Sequence, residues 1–211
     1  APVSDLPDSL FFTSGDVLWS LTPGRDPVAV LDTDLIGPWA QTVDATRAAV
    51  TVYSTEGGSS SEAVILVDPL GGQSAPIWGP VAQPGSPGNP RIIEVRWSWY
   101  GDVLLLLRED RTVLALDPNQ DADQQPRTEP LVALPGGASD LQSLPSGAGW
   151  SYLVDGQLQV LPISNEPMTP EAPFSSDVDT YRWLPGTARV LAVPASAGAS
   201  GPRGSILAAD A

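Results

Sequence analysis

Short apolar runs alternate with tight polar turns along the whole chain. The clearest case is IIEVRWSWYGDVLLLLREDRTVLALDP, Ile92 to Pro118, where two apolar runs flank the charged tip REDR. Runs like the last of these recur as DVLWSLTP, EAVILVDP, TVLALDP, QLQVLPIS and SILAADA. Their first matched apolar residues are Val17, Val64, Val113, Leu158 and Ile206, at steps of 47, 49, 45 and 48 residues. So narrow a spread over five occurrences marks an internal repeat. Each run follows another short apolar run and a turn with Gly or charge at its tip, which predicts a β-hairpin. Four hairpins are preceded by a further segment: GPWAQTVDATR, VRWSWYGD, LQSLPSGAG and YRWLPGTA. Behind all hairpins but the last comes one more apolar piece: PVAVLD, APIWGPV, PLVALPG and EAPFSS.

One unit is therefore four short strands, a to d, which is the size and content of a propeller blade. The expected fold is all-β: a β-propeller of about five four-stranded blades, or an incomplete part of a larger one. The sets begin near residues 10, 38, 92, 140 and 180, and residues 1–211 are read as a single domain. The chain opens at strand b near Leu10 and ends in strand c near Ile206, 18 strands in all. APVSDLP is a candidate closing edge strand, with two Pro residues that weaken its pairing. A β-sandwich with the same turn spacing is the competing architecture.

The segments RWSWYGDVLLLL and RWLPGTARVLAV resemble the W-S-P-D-G element and following strand of TolB-type, WD40-like propeller repeats, and ILVDPLGG resembles the next strand with its Gly-Gly turn. Trp97, Ser98 and Gly101 keep the motif in one copy; Trp183, Pro185 and Gly186 keep it in another, and its Asp is missing from both. Trp39, Trp97 and Trp183 hold one repeat slot, with Ser143 in the same slot of the remaining copy. They are read as anchors between blades, and Trp19, Trp78, Trp99 and Trp150 as core residues before contact residues. If the strand ran on past Trp97, Trp99 would share its face and Tyr100 would point away.

Composition narrows the chemistry. Cys, His and Lys are all absent. That removes cysteine nucleophiles, thiolate or imidazole zinc sites, Ser-His-Asp triads and Lys Schiff bases. The net charge of −15, with ten Arg as the only basic residues, argues against nucleic acid as partner. No apolar run reaches the roughly 20 residues of a membrane span. The start carries no apolar signal core, and an exported, extracellular or periplasmic protein of the cell envelope is the expected setting.

Carboxylates, Arg, Tyr, Ser and Thr are the catalytic groups left, and the propeller resemblance admits glycosidases, which need only two carboxyl groups at a set separation. Asp44, Glu94, Asp102, Asp140 and Asp179, near the a strands, are the candidates, but they share no register. In DPNQDADQQ, Asp117, Asn119, Asp121 and Asp123 alternate in the manner of a calcium loop, with Ala122 where Gly is expected and Thr128 where the closing Glu belongs. No other cofactor is indicated. AQPGSPGNP reads as a flexible insertion between strands d and a, ISNEPMTPEAP as a Pro-rich acidic crossing, and ASAGASGPRG as a long hairpin tip. The functional expectation is a non-catalytic binding or scaffolding module. It recognises a protein or peptide, preferably basic, through propeller loops. A carbohydrate-binding or hydrolytic propeller and a structural subunit of a larger assembly are the alternatives.

Overall fold

A computed structural model describes residues 9–32, 36–56, 58–125, 130–144, 149–162, 178–184, 189–194 and 205–208. Among these residues there is no helix, and the strands form five antiparallel sheets. The first sheet holds β1 (Leu10–Ser14), β2 (Val17–Leu21) and β3 (Val28–Asp32). The second holds β4 (Ile36–Gln41), β5 (Ala48–Glu56), β6 (Ser59–Val67) and β7 (Trp78–Ala82). The third holds β8 (Ile92–Trp97), β9 (Leu104–Arg108), β10 (Thr112–Leu116) and β11 (Val132–Ala133). The fourth is β12 (Ser139–Ser143), β13 (Gly149–Val154) and β14 (Gln157–Pro162), and the fifth is β15 (Val178–Trp183), β16 (Arg189–Pro194) and β17 (Ser205–Ala208). Strands pair in chain order, so every sheet is a meander built from local hairpins.

The repeat is visible in the irregularities as well as in the order. β4, β8, β12 and β15, the first strands of their sets, each carry a register shift against the next strand. The shifts fall between Ile36 and Trp39, Ile92 and Glu94, Ser139 and Gln142, and Val178 and Thr180. A bulge re-aims the side chains beyond it. The segment EAPFSS, expected to give a fourth strand after β14, lies outside the described residues, as do APVSDLP, ISNEPMTPEAP and ASAGASGPRG.

The chain divides into two compact units, residues 1–133 and 134–211. In the first, Phe11, Leu18 and Val30 of the first sheet pack with Ala48, Val50 and Ile65 of the second, and Trp39 leans on this cluster. Ala49, Val64 and Trp78 of the second sheet pack with Val95, Trp97, Leu104, Leu106 and Leu114 of the third. Leu104 to Leu107 are all buried, at about 1.5–3 kcal/mol for each such side chain. In the second unit, Leu153, Leu158, Tyr181, Trp183 and Val190 form the corresponding core between the fourth and fifth sheets.

Two tryptophan nitrogens show how the repeat slot is used. Trp97 Nε1, on β8, donates to the carbonyl of Ala40 on β4, 2.9 Å away. Trp183 Nε1, on β15, donates to Ser151 Oγ on β13 at 2.7 Å. Each thereby ties its own sheet to the one before it. Trp78 and Trp150 are buried and Trp19 is half-buried, and none of their three ring nitrogens has a hydrogen-bond partner among the described residues.

AQPGSPGNP, expected as a flexible insertion, is instead closed on itself. Gly85 N donates to Asn89 O, Ser86 N to Gln83 O and Asn89 N to Ser86 O. Asn89 Nδ2 adds a bond to Ala82 O and Arg91 Nε one to Pro84 O. The turn geometry of the Gly and Pro residues lets side chains from within and just beyond the segment cap its carbonyls.

Candidate functional site

The β4–β5 and β8–β9 turns occupy equivalent positions in neighbouring sheets of the first unit. The first turn is Thr42–Arg47. Thr42 N donates to Arg47 O and Ala45 N to Thr42 O, and Ala45 takes a positive φ of 51° to complete the bend. Asp44 fixes it from inside: its Oδ1 accepts from Thr42 Oγ1 at 2.6 Å, Thr46 N at 3.1 Å and Thr46 Oγ1 at 2.9 Å. This is a side chain standing in for the backbone in a turn. The hydrogen bond from Thr42, with those from Thr46, outweighs a small burial effect and holds the Asp44 carboxyl below its usual value.

The second turn is Ser98–Asp102. β8 ends at Trp97, so Trp99 does not continue its face. Ser98 Oγ donates to Asp102 Oδ1 at 2.5 Å and accepts from the backbone N–H groups of Asp102 and Val103. Asp102 supplies here the carboxylate missing from the repeat motif, two places further along. Gly101 has φ +70°, and a Cβ there would stand 3.3 Å from Thr42 Cγ2, so the two turns touch where only glycine fits.

Arg47 locks the turns together. Its Nη2 donates to Gly101 O at 2.7 Å, and its guanidinium carbon lies 4.9 Å from the centroid of the Trp97 ring. Beside this lock is a cleft of about 260 Å³, lined by Val43, Asp44, Thr46 and Arg47 from one turn and Trp99 and Tyr100 from the other. Val43 is 57% exposed and Tyr100 69%. Apolar and aromatic surface is thus displayed on backbone held by the side-chain and main-chain hydrogen bonds of both turns. Sequence reading passed over Val43, Arg47 and the exposure of Tyr100. The signal was there in the paired slots QTVDATR and WSWYGD, where D-A-T and S-W-Y-G-D are turn-forming sequences with apolar residues at their tips.

The carboxylates proposed as catalytic are engaged in other ways. Glu94 pairs with Arg96 at 2.9 Å. Asp140, at φ +51°, is held by Arg182 Nη1 at 3.0 Å and by Gln142 Nε2 at 3.0 Å. Asp44 and Asp102 serve their turns, and Asp179 is exposed on β15. A different acid has the perturbed environment: Glu62 of β6, with no solvent exposure. It accepts from Ile92 N of β8 at 3.2 Å and from the Tyr53 hydroxyl. Burial pushes its carboxyl above the usual value, and burial together with the Glu62 charge pushes Tyr53 up to about 12. Sealed between two sheets, Glu62 has no route to a substrate.

The acidic loop after β10 is organised round an amide. Gln125, buried, receives Asp117 N on its Oε1 at 3.1 Å and donates through Nε2 to the carbonyls of Asp117 and Gln120. Asp117 Oδ1 accepts from Asn119 N and Nδ2. Among the described residues no group of three or more His, Cys, Asp or Glu side chains is placed to hold one metal ion.

The architecture is that of β-propellers. No protein-family model and no curated protein sequence matches the chain. Among solved structures it is similar to a protein assigned as TolB from Agrobacterium tumefaciens, with 17% identity and a TM-score of 0.60, covering 95% of this chain and 73% of that one. It is similar to the β-propeller domain of Cps50 (Swd1) from Myceliophteria thermophila, with 13% identity and a TM-score of 0.58, over 89% of this chain and 63% of that one. It is also similar to the dihydro-heme d1 dehydrogenase NirN, with 15% identity and a TM-score of 0.58, over 99% of this chain and 45% of that one. These likenesses establish the all-β propeller fold, whole or partial, a fold shared with TolB and WD40 propellers. No helix among the described residues is long and apolar enough to cross a membrane.

Proposed function

We propose that this chain is a non-catalytic binding module that recognises a protein or peptide through the paired β4–β5 and β8–β9 turns. The observation that carries the reading is the display of Val43 and Tyr100, both more than half exposed, on turns that Arg47 fastens to each other. Rigid backbone with exposed aromatic surface is what a recognition surface needs, because little ordering entropy is lost on binding. The engagement of Glu94, Asp102 and Asp140 with their own neighbours favours binding over carboxylate catalysis. An exported setting belongs to the same reading, and fractionation of cells expressing the full gene checks it.

A peptide library displayed on phage and selected on the immobilised protein tests the proposal. Selected peptides should lose binding by about tenfold or more when Val43→Asp and Tyr100→Ala are combined, the effect of removing a central aromatic anchor. Peptides that bind the double variant as tightly as the parent, or a library that yields no binder, would overturn it.

A further inference from the structure

The cleft between the two turns has a chemical preference. We propose that it takes a cationic side chain, arginine or lysine, of the partner segment, with Asp44 as counter-ion and the rings of Trp99 and Tyr100 as its walls. This inference rests on the reading of the turns as a docking surface and adds what they select.

Asp44 is built for the role. All three of its hydrogen bonds arrive at Oδ1, so the carboxylate is oriented by its own turn. Oδ2 has no partner among the described residues. Both Thr42 and Thr46 already donate their hydroxyl protons to Oδ1 and do not compete for the second oxygen. A carboxylate so oriented accepts a charge-assisted hydrogen bond without the entropy cost that a loose surface acid incurs.

The aromatic walls act in the same direction. Tyr100 is 69% exposed and lines the cleft with Trp99 and Asp44. The faces of such rings attract cations, by about 0.5–2 kcal/mol depending on desolvation. The site contains an internal precedent: Arg47 is stacked at 4.9 Å on the Trp97 ring with a carbonyl as its hydrogen-bond acceptor. Arg47 also lines the cleft, but its guanidinium is turned to Gly101 O and the Trp97 ring and makes no ion pair with Asp44, so the Asp44 carboxylate is the cleft's one acidic group. Beyond the cleft, 25 acidic residues against ten Arg give a field that draws cations in and repels anions.

Blocked pentapeptides of sequence Gly-Leu-X-Leu-Gly, with X as arginine, lysine, citrulline, norleucine or glutamate, test this by titration against the 15N-labelled chain. The arginine and lysine peptides should shift the amides of residues 42–47 and 98–102 saturably, binding about tenfold more tightly than citrulline or norleucine. Asp44→Asn, which can keep Oδ1 as the turn's acceptor, and Tyr100→Ala, whose side chain is largely solvated, should each weaken the arginine peptide by about tenfold, and added salt should weaken it further. If citrulline and norleucine peptides bind as well as arginine and Asp44→Asn changes nothing, the charge preference is wrong and the docking surface stands. The charge preference is equally wrong if the glutamate peptide binds best. If no peptide shifts these amides, or if cellotetraose does so in their place, the docking surface falls and the inference with it.

Discussion

The guanidinium of Arg47 sits on the indole of Trp97 and closes a 2.7 Å hydrogen bond to Gly101 O, across 54 positions of sequence. One side chain thereby connects the first turn of one sheet to the first turn of the next. The indole is itself anchored in the other direction, through Nε1 to Ala40 O. The second and third sheets are stitched by these two side chains, and Arg47 also lines the cleft.

Arg47→Ala should therefore destabilise the chain by about 2 kcal/mol, the sum of a cation–aromatic contact and a charge-assisted hydrogen bond. Arg47→Lys should recover only part of this, since an ammonium cannot stack as a plane while donating sideways. Urea denaturation of the three proteins gives the comparison, and equal midpoints would show that the stack carries no stability.

Gly101→Ala tests the contact between the turns. It meets two obstacles, a positive φ and Thr42 Cγ2 at 3.3 Å, whereas Gly15→Ala meets only the first, at φ +61° with nothing within 4 Å. We expect Gly15→Ala to cost about 1 kcal/mol and Gly101→Ala clearly more, with the difference reduced in a Thr42→Ser background that lacks the methyl group. Thermal melts of the parent, the three single variants and the Thr42→Ser/Gly101→Ala double variant measure it.

Much of the fold was legible because it is local. A hairpin needs only alternating apolar residues and a turn, and the spacing from Val17 to Ile206 repeats that signal five times. The bulges in β4, β8, β12 and β15 left no mark, because a register shift is decided by what the neighbouring strand offers. The turn surface was half legible: Trp97, Ser98 and Gly101 could be read, but the substitution of Asp102 for the motif carboxylate depends on a hydrogen bond to Ser98. Glu62 was passed over among 25 acids, although SSSEAVILV places it at the start of a buried run. What makes it distinctive, the Ile92 N–H and the Tyr53 hydroxyl, comes from outside that run.

Glu62 gives a pH dependence with a definite sign. Its carboxyl titrates above the usual range in the folded chain, so folding takes up a proton between the unfolded and folded values. The stability it contributes is fully present below the ordinary glutamate value, about 4.3, and is lost as pH rises through the raised folded one. Tyr53, Arg91, Glu109 and the Ile92 amide are the groups that act on it. Glu62→Gln keeps the acceptor for Ile92 N–H and removes the charge. Its stability should be flatter than the parent's over this range and should exceed it near neutral pH by about 1–2 kcal/mol. Denaturation across pH measures the difference, and parallel curves would show that Glu62 titrates normally.

In the second unit, Ser151 Oγ is the acceptor for Trp183 Nε1 at 2.7 Å and lies 2.9 Å from the Tyr181 hydroxyl. Tyr181 has a second partner in Asp140 O at 2.8 Å. Ser151→Ala should leave the Tyr181 hydroxyl on Asp140 O and take the Ser151 acceptor from the indole N–H, at a cost of about 1–3 kcal/mol. Trp183→Phe in the Ser151→Ala background should add less destabilisation than Trp183→Phe alone, because the Ser151 hydrogen bond is already gone. A double-mutant cycle by urea denaturation reads the coupling directly.

The loop from Asp117 to Gln125 separates two ways of ordering an acidic segment. A metal would draw Asp117, Asn119, Asp121 and Asp123 together, whereas the observed contacts run through the Gln125 amide, which bonds to Asp117 N, Asp117 O and Gln120 O. An amide can do this at any calcium concentration, so saturating calcium should leave the melting temperature unchanged; ligand binding to the folded state would raise it. Gln125→Ala removes both the donor and the acceptor from a buried position and should cost about 1–3 kcal/mol. Asp121→Asn and Asp123→Asn, on exposed side chains, should be neutral or slightly stabilising through relief of repulsion on a chain of charge −15. A calcium-dependent rise in melting temperature that disappears in Asp121→Asn would restore the loop as a cation site and demote Gln125 to its scaffold.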